Sequence, residues 1–455
     1  MKILLAVHQF FPEFMGGTEV LVLDTAKELQ RNGHDVCVLT TYPDETLVED
    51  NKRSDSYEYN GIHVERFRHS VKGTGEQSNT VELEYNNLFF ASYFRNLLEK
   101  LKPDIVHFFH FHRLSTSTID VCIELKIPTV YTATDFWLIC VLCQLREYDN
   151  STCKGPSKNA VNCIKHLAIA FQPSEIRTRV AKLPSWLLAT GVLAIKAGAF
   201  SKYWFSPYVR AMTKRQSFNK KRMNQINKVL VPTNLMGKIL NQNGLNKARI
   251  QFQQYGINLE PFNEIDFNRR NSEKLRIGFI GALYEHKGAH LLIEAICSLP
   301  ENVALELKIY GNLNQSPEYS ERLKSIAGED IRIKFCGTFP NNEIGVILSE
   351  VDVLVVPSIW YENTPLVIYS AQAAKCPVIA TNLGGMSEVI EDKVNGLLFE
   401  KGNVKELAKA INSLAEDRAL LNKLANNAKE PKSISEYVSE LECYYRKIVN
   451  NVEAK

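Results

Sequence analysis

The chain has no long hydrophobic run. Its longest, Trp186 to Phe200, is 15 residues and carries Lys196 inside it. A membrane-spanning helix needs about 20 mostly apolar residues, so no spanning segment is expected. Ile3 to Val7 is a run of five apolar residues ahead of His8 and Gln9, too short for the core of a secretory signal. A cytoplasmic protein with mostly reduced cysteines follows as the expectation. Charge of one sign is also missing: 54 Lys and Arg against 51 Asp and Glu leave a net of +3, which does not announce a nucleic-acid binder. No G-x-G-x-x-G follows a predicted strand, which argues against an NAD-linked oxidoreductase.

What is present is ordinary globular material. At 45% hydrophobic and 23% charged residues the chain can bury a sizeable core, which excludes disordered, collagenous and small disulfide-stapled proteins. Apolar runs alternate with helical periodicity. Ile3–Val7, Asp35–Thr40, Ile105–Phe109 and Thr129–Thr132 read as strands, and Thr18 to Arg31 as a helix with Gly33 at its C-terminal cap. Farther on, Leu275–Ile280, Leu305–Tyr310, Ile331–Cys336, Val353–Val356 and Val378–Ala380 are strands separated by helices at His290–Leu299 and Pro365–Lys375. The alternation predicts an α/β protein with two Rossmann-like, doubly wound parallel-sheet domains facing each other. The division expected is 1–225, then 226–430, then a C-terminal helix in 431–455, with a Cys-rich and basic helical insertion at about 140–222.

Charge is locally uneven. Ser151 to Leu230 holds 15 Lys and Arg against one acid, Glu175. Such blocks are usually solvated helical faces. Here, however, Trp186, Phe200, Tyr203, Trp204 and Phe205 are interleaved with Lys196 and Lys202, a pattern that also suits a helix lying on an anionic membrane surface.

Three loops carry candidate chemistry. Gly16-Gly17-Thr18-Glu19 follows the first strand and opens a helix, where an anion is favoured. Gly278-Phe279-Ile280-Gly281 precedes Glu285-His286-Lys287-Gly288, placing a compact point charge on a glycine turn, where it could reach a diphosphate. Pro357 to Leu366 leaves a strand and enters a buried helix. Backbone N–H groups from Thr364 to Val367 are unpaired at such a start, and Glu362 beside them can accept hydrogen bonds from sugar hydroxyls. Downstream, Gly384-Gly385 with Glu388 forms another glycine-rich helix entrance.

In order along the chain, Gly16–Glu19, Val106-His107, Thr134-Asp135-Phe136-Trp137, Lys287-Gly288, Pro357–Pro365, Pro377–Ala380, Gly384-Gly385-x-x-Glu388 and Asn395–Phe399 resemble the retaining GT-B glycosyltransferases of glycosyltransferase family 4 (glycosyl transferases group 1). The resemblance covers roughly residues 1–450, including a C-terminal amphipathic helix, Ile434–Val449, that in such folds crosses back to the first domain. It implies a GT-B fold with an interdomain cleft. It also implies transfer of a hexose-type sugar from a UDP- or GDP-sugar to a glycan or lipid-linked acceptor, with retained configuration and no metal required for catalysis. Lys287 and Glu362 would be catalytic, the former against the leaving diphosphate. Gly16, Gly17, Gly281, Asn363, Thr364, Pro365, Leu366, Ser370 and Glu388 would bind the donor. Glu19, His110, His112 and Asp135 would stand on the acceptor side. Cell-surface polysaccharide assembly, at the cytoplasmic face of the inner membrane, is the expected setting, with no nucleic-acid partner.

Three positions depart from the family pattern. Ser370 stands where a second glutamate usually binds the ribose, Ala282 where an arginine follows the glycine, and Thr134 where a histidine precedes Asp135. Ser370 and Ala282 motivate an alternative, a catalytically weakened GT-B protein serving as a scaffold in a glycan-assembly complex.

Four of the ten cysteines, Cys140, Cys143, Cys153 and Cys163, fall within 24 residues, and His166 follows Cys163 at a C-x-x-H spacing. Cys140, Cys153, Cys163 and His166 form a candidate structural zinc site, with Cys143 as a substitute. Reduced core cysteines, or a disulfide in an oxidising compartment, are the plain alternatives, and an iron–sulfur cluster usually needs four thiolates.

Overall fold

The first sheet is assembled from runs such as Lys2–Ala6, whose residues from Ile3 onward are fully buried. Burial on both faces is why these runs read as continuous rather than alternating. In this computed structural model, residues 1–44, 46–70, 77–170, 174–267 and 272–453 are described. The strands of the first sheet are β1 (Lys2–Ala6), β2 (Asp35–Pro43), β3 (Ser54–Tyr59), β4 (Ile62–His69), β5 (Ile105–Phe108), β6 (Thr129–Thr132), β7 (Lys228–Val231) and β8 (Ile250–Phe252), ordered β3-β4-β2-β1-β5-β6-β7-β8. The strand order reverses between β1 and β5, the position at which open α/β sheets bind ligands.

This sheet is mixed, not wholly parallel as expected. β3 pairs antiparallel with β4 through Asn60 (φ 50°) and Gly61 (φ 79°), the Asn-Gly pair that a two-residue hairpin turn requires. The helix predicted from Thr18 runs Gly17–Arg31. Its end is closed by Gly33 at φ 82°, with His34 N–H donating to Leu29 O and Gly33 N–H to Gln30 O.

The second sheet contains β9 (Leu275–Ile280), β10 (Leu305–Tyr310), β11 (Ile333–Gly337), β12 (Val353–Val356), β13 (Val378–Thr381) and β14 (Gly396–Phe399), ordered β11-β10-β9-β12-β13-β14. Every pairing in it is parallel, and its reversal lies between β9 and β12. Leu275, Ile277, Leu307 and Val353 pack there with Leu407, Ile411 and Leu414 of the helix Val404–Glu416.

Two units result: Met1–Gln253 with Val438–Lys455, and Gln254–Tyr437. The expected boundary at 225/226 is therefore displaced. β7 and β8 continue the first sheet by pairing with β6 and with each other, a choice of sheet that periodicity does not encode. The last helix, Ile434–Glu453, begins in the second unit and contributes to the first from Val438 on. Within the first unit its Glu442 meets Asn32 Nδ2 at 2.8 Å and His34 Nε2 at 3.1 Å.

The insertion carries helices Val161–Ala170, Ser174–Lys182, Ser185–Lys196 and Ser206–Met223. The last is not a purely solvated basic face. Its Arg222 is buried and donates to Asp120, Asn86 and the Tyr85 carbonyl, and Asn219 and Arg215 are buried on the same helix. No helix among the described residues is long and apolar enough to cross a membrane.

Candidate active site

In the second unit, the loops that follow β9 and β12 meet at the reversal point. Gly288 makes this approach sterically feasible: at φ +76° a Cβ would fall 1.9 Å from the Pro357 carbonyl. Ile359 N–H donates to His286 O at 2.9 Å, tying one loop to the other. Lys287 Nζ then lies 2.6 Å from Glu362 Oε1 and 5.2 Å from the Trp360 ring centroid. Ser358 Oγ and Trp360 Nε1 donate to the same oxygen at 2.8 and 2.7 Å. All three donors converge on Oε1, and Oε2 has no protein partner among the described residues. Burial acts to raise the Glu362 carboxyl, but the Lys287 ammonium and these hydrogen bonds hold it below the usual range. It is a buried carboxylate kept ionised.

The backbone of Glu362 is held as well. Gly385 N–H donates to its carbonyl at 2.8 Å, and Gly384, at φ +65°, leaves no room for a Cβ, which would lie 2.8 Å from that carbonyl. The helix Leu366–Ala373 starts just after Pro365, bringing Asn363, Thr364, Pro365 and Leu366 beside Glu362. Asn363 Oδ1 is buried without a hydrogen bond, the kind of orphan that a ligand donor satisfies. Gly281 directly follows β9, its N–H donating to Tyr310 O. Ser370 is half-buried and its hydroxyl donates to Leu366 O at 3.3 Å. Glu388 is exposed in the first turn of the short helix Met386–Val389.

In the first unit the residues after β1, β5 and β6 gather in the same manner. His8 stacks on His110, centroids 3.9 Å apart, and its Nε2 is 3.9 Å from Glu19 Oε1. Glu19 is buried in the first helical turn and folds back on Gly16, where a Cβ would meet its Oε2 at 2.4 Å. Gly16 and Gly17 themselves are exposed. Burial pushes the Glu19 carboxyl up, only partly opposed by backbone N–H groups and Gln9. Burial, with His110, His112 and Arg113 nearby, pushes His8 well down, so it is a neutral imidazole. His8 Nδ1 and Glu19 Oε1 are both unsatisfied.

His110 Nδ1 accepts from the His112 N–H at 2.9 Å, which fixes the proton on Nε2, where it is donated to Asp135 Oδ2. Asp135 also accepts from the Trp137 N–H at 2.9 Å and from Cys143. Burial alone would raise Asp135, yet these donors and His110 hold it low. His112 Nδ1 stands 3.0 Å from Glu84 Oε2. His107 is separate: it is fully buried, between Tyr445 OH at 2.5 Å and Thr132 Oγ1 at 2.8 Å, and ties β5 to the last helix.

Cys140, Cys153, Cys163 and His166 line one cavity. Cys143 does not join them and is no substitute ligand, because its thiol is committed to Asp135. Among the described residues, the group whose ligand atoms all fall within 4.8 Å of one another is His110, Asp135 and Cys143. That group is satisfied internally: both His110 nitrogens are engaged, leaving no lone pair for a metal. Sequence reasoning missed His8, Glu84 and Arg113. Only the position of His8 directly after a predicted strand could have signalled one of them.

Two Rossmann-like units, each with a glycine-rich loop and a charged cluster at the reversal point of its sheet, define the GT-B class of glycosyltransferases. Residues 262–431 match the family model of glycosyl transferases group 1, and 15–151 that of glycosyltransferase family 4. The chain belongs to this family. It is 30% identical over 181 residues to an uncharacterized glycosyltransferase of Methanocaldococcus jannaschii, a match covering 39% of this chain and 46% of that protein. It thus spans about half the length of the curated relatives it matches. Sucrose-phosphate synthase from Thermosynechococcus elongatus superposes with a TM-score of 0.68 at 18% identity, covering 99% of each chain. The Anabaena protein HepE in complex with UDP-glucose gives 0.62 at 16%, covering 98% of this chain and 100% of that one.

Proposed function

We propose that the chain is a retaining glycosyltransferase that moves a sugar from a UDP- or GDP-sugar to a glycan or lipid-linked acceptor in cell-surface polysaccharide assembly. The Lys287–Glu362 pair at the helix entrance carries this reading. The ammonium lies where a leaving diphosphate would gather charge, and the amides opening the helix Leu366–Ala373 would supply further compensation without a metal. Glu362 Oε2, unoccupied by protein donors, would accept a sugar hydroxyl. The departing phosphate would take the acceptor's proton. In the first unit, the buried open atoms of His8 and Glu19, with His110 and Asp135 behind them, would serve the acceptor side.

The reading is tested by screening UDP- and GDP-sugars for slow hydrolysis and transfer, with Lys287→Ala beside the wild type. Loss of one preorganised charge donor is expected to lower kcat by about 10²–10³-fold. Unchanged kinetics would sink the assignment. A second reading, the weakened scaffold, is favoured by one observation: the Ser370 hydroxyl is spent on its own helix, on Leu366 O. Calorimetry with UDP, GDP and ADP separates the two, because a protein with no donor pocket gives no heat with any of them.

We further propose that the stretch around Ser185–Lys196 holds the enzyme against an anionic bilayer. Trp186 (69% exposed), Trp204 (74%) and Tyr203 (56%) stand out around Lys196 and Lys202, inside the basic block Ser151 to Leu230.

A further inference from the structure

The first unit holds a small, partly open cavity of about 20 Å³, room for one water-sized body. Its wall includes Cys140, Cys153, Cys163, His166 and Glu147. These donors come from three places in the chain: Cys140 from the turn after Ile139, Cys153 just past the bridge between Arg146 and Thr152, and Cys163 and His166 one turn apart on the helix Val161–Ala170. Nothing in the proposed transfer reaction uses them.

Two N–H donors reach one of these sulfurs. Cys153 Sγ accepts from the Gly155 N–H at 3.4 Å and from Asn162 Nδ2 at 3.6 Å. Beside the cavity, Arg215 is 3% exposed. It donates to the Ile139 and Trp137 carbonyls, its Nε has no partner, and no carboxylate among the described residues pairs with it. The Trp137 ring lies 4.7 Å from its guanidinium, and Arg215 and Cys163 line one adjoining small pocket. A buried guanidinium without a counter-anion is costly. The segment is also poor in regular structure, with Leu145, Asn150, Asn159 and Ala160 all at positive φ, so a cross-link would gain it much.

We propose that this cavity is a structural zinc site with Cys140, Cys153, Cys163 and His166 as its four ligands. Three thiols lose their protons on binding, and the neutral imidazole donates one lone pair. Three thiolates and Zn²⁺ leave a net charge of −1, which Arg215 balances. Tetrahedral Zn–S bonds of about 2.3 Å draw the donors inward from their present spacing. Soft thiolate ligands in a closed shell select zinc over magnesium or calcium.

The test is metal analysis of the untagged full-length protein. About one zinc per chain is expected, lost to a chelator after thiol modification. Cobalt substitution is expected to give the intense visible bands of a tetrahedral thiolate site, a readout that needs no variant. Cys163→Ser and His166→Ala are expected to lose the metal, while Cys143→Ser and Glu147→Gln keep it. Folded wild-type protein that holds no near-stoichiometric zinc and takes none up would overturn the proposal. So would zinc lost from Cys143→Ser but kept in Cys163→Ser, or stoichiometric iron with sulfide in place of zinc. Glycosyl transfer enters none of these measurements.

Discussion

At the level of single residues, the donor side was legible because its chemistry is local. Pro357 to Pro365 keeps Glu362 within a few residues of its own hydrogen-bond donors Ser358 and Trp360, and Lys287 precedes a glycine that only a tight turn explains. His8 and Glu84 were not legible, since their partners lie far along the chain and only folding brings them together. Ser370 is the informative departure. A glutamate there would offer a ribose a charge-assisted pair of hydrogen bonds, each worth about 1.5–3 kcal/mol. Ser370→Glu is therefore expected to tighten UDP or GDP binding by at least about tenfold in calorimetry. No gain would mean that other groups hold the ribose. Gly288 is equally specific. Gly288→Ala forces a Cβ to within 1.9 Å of the Pro357 carbonyl at φ +76° and is expected to cost about 2–4 kcal/mol. Denaturant unfolding of the second unit, with nucleotide affinity measured in parallel, checks this, and an undisturbed Ala variant would refute the turn's role.

At the level of elements, the apolar strands β6, β9, β10 and β12 run over the expected residues. The hairpin β3–β4 is harder to see in the sequence because its residues alternate with charge, SDSYEY against IHVERFRH. Within the basic block Ser151 to Leu230, periodicity does not show which of Trp186, Phe200, Tyr203, Trp204 and Phe205 stand exposed. Its proposed membrane role predicts co-sedimentation with vesicles rich in phosphatidylserine or phosphatidylglycerol, weakened by salt as the Debye length shortens. Trp186→Ala with Trp204→Ala should reduce binding severalfold. Equal binding to neutral vesicles would leave only a solvated basic face.

At the level of the whole molecule, the first unit carries an acid liability that the second does not share to the same degree. Burial holds His69 down to about 4 and His107 to about 3, and His8 well below its ordinary value. The unfolded chain takes up protons at these sites below about pH 6.5 while the folded one does not, so stability falls as pH drops through that window. Each group contributes about 1.4 kcal/mol per pH unit. Glu19, raised by burial, works the other way by one proton. Hydrogen exchange at pH 4.5 and 7, corrected for intrinsic rates, should show protection lost in β1 and β5 before β9 and β12. Uniform loss would contradict the assignment.

The last helix has a consequence for synthesis. Tyr445 and Glu442 complete the packing around His107, Asn32 and His34, yet they leave the ribosome after the entire second unit. The half that is made first is thus the half that is finished last. A premature stop near Val438 would spare every residue of the donor cluster and still strand the opening half of the protein without its closing piece.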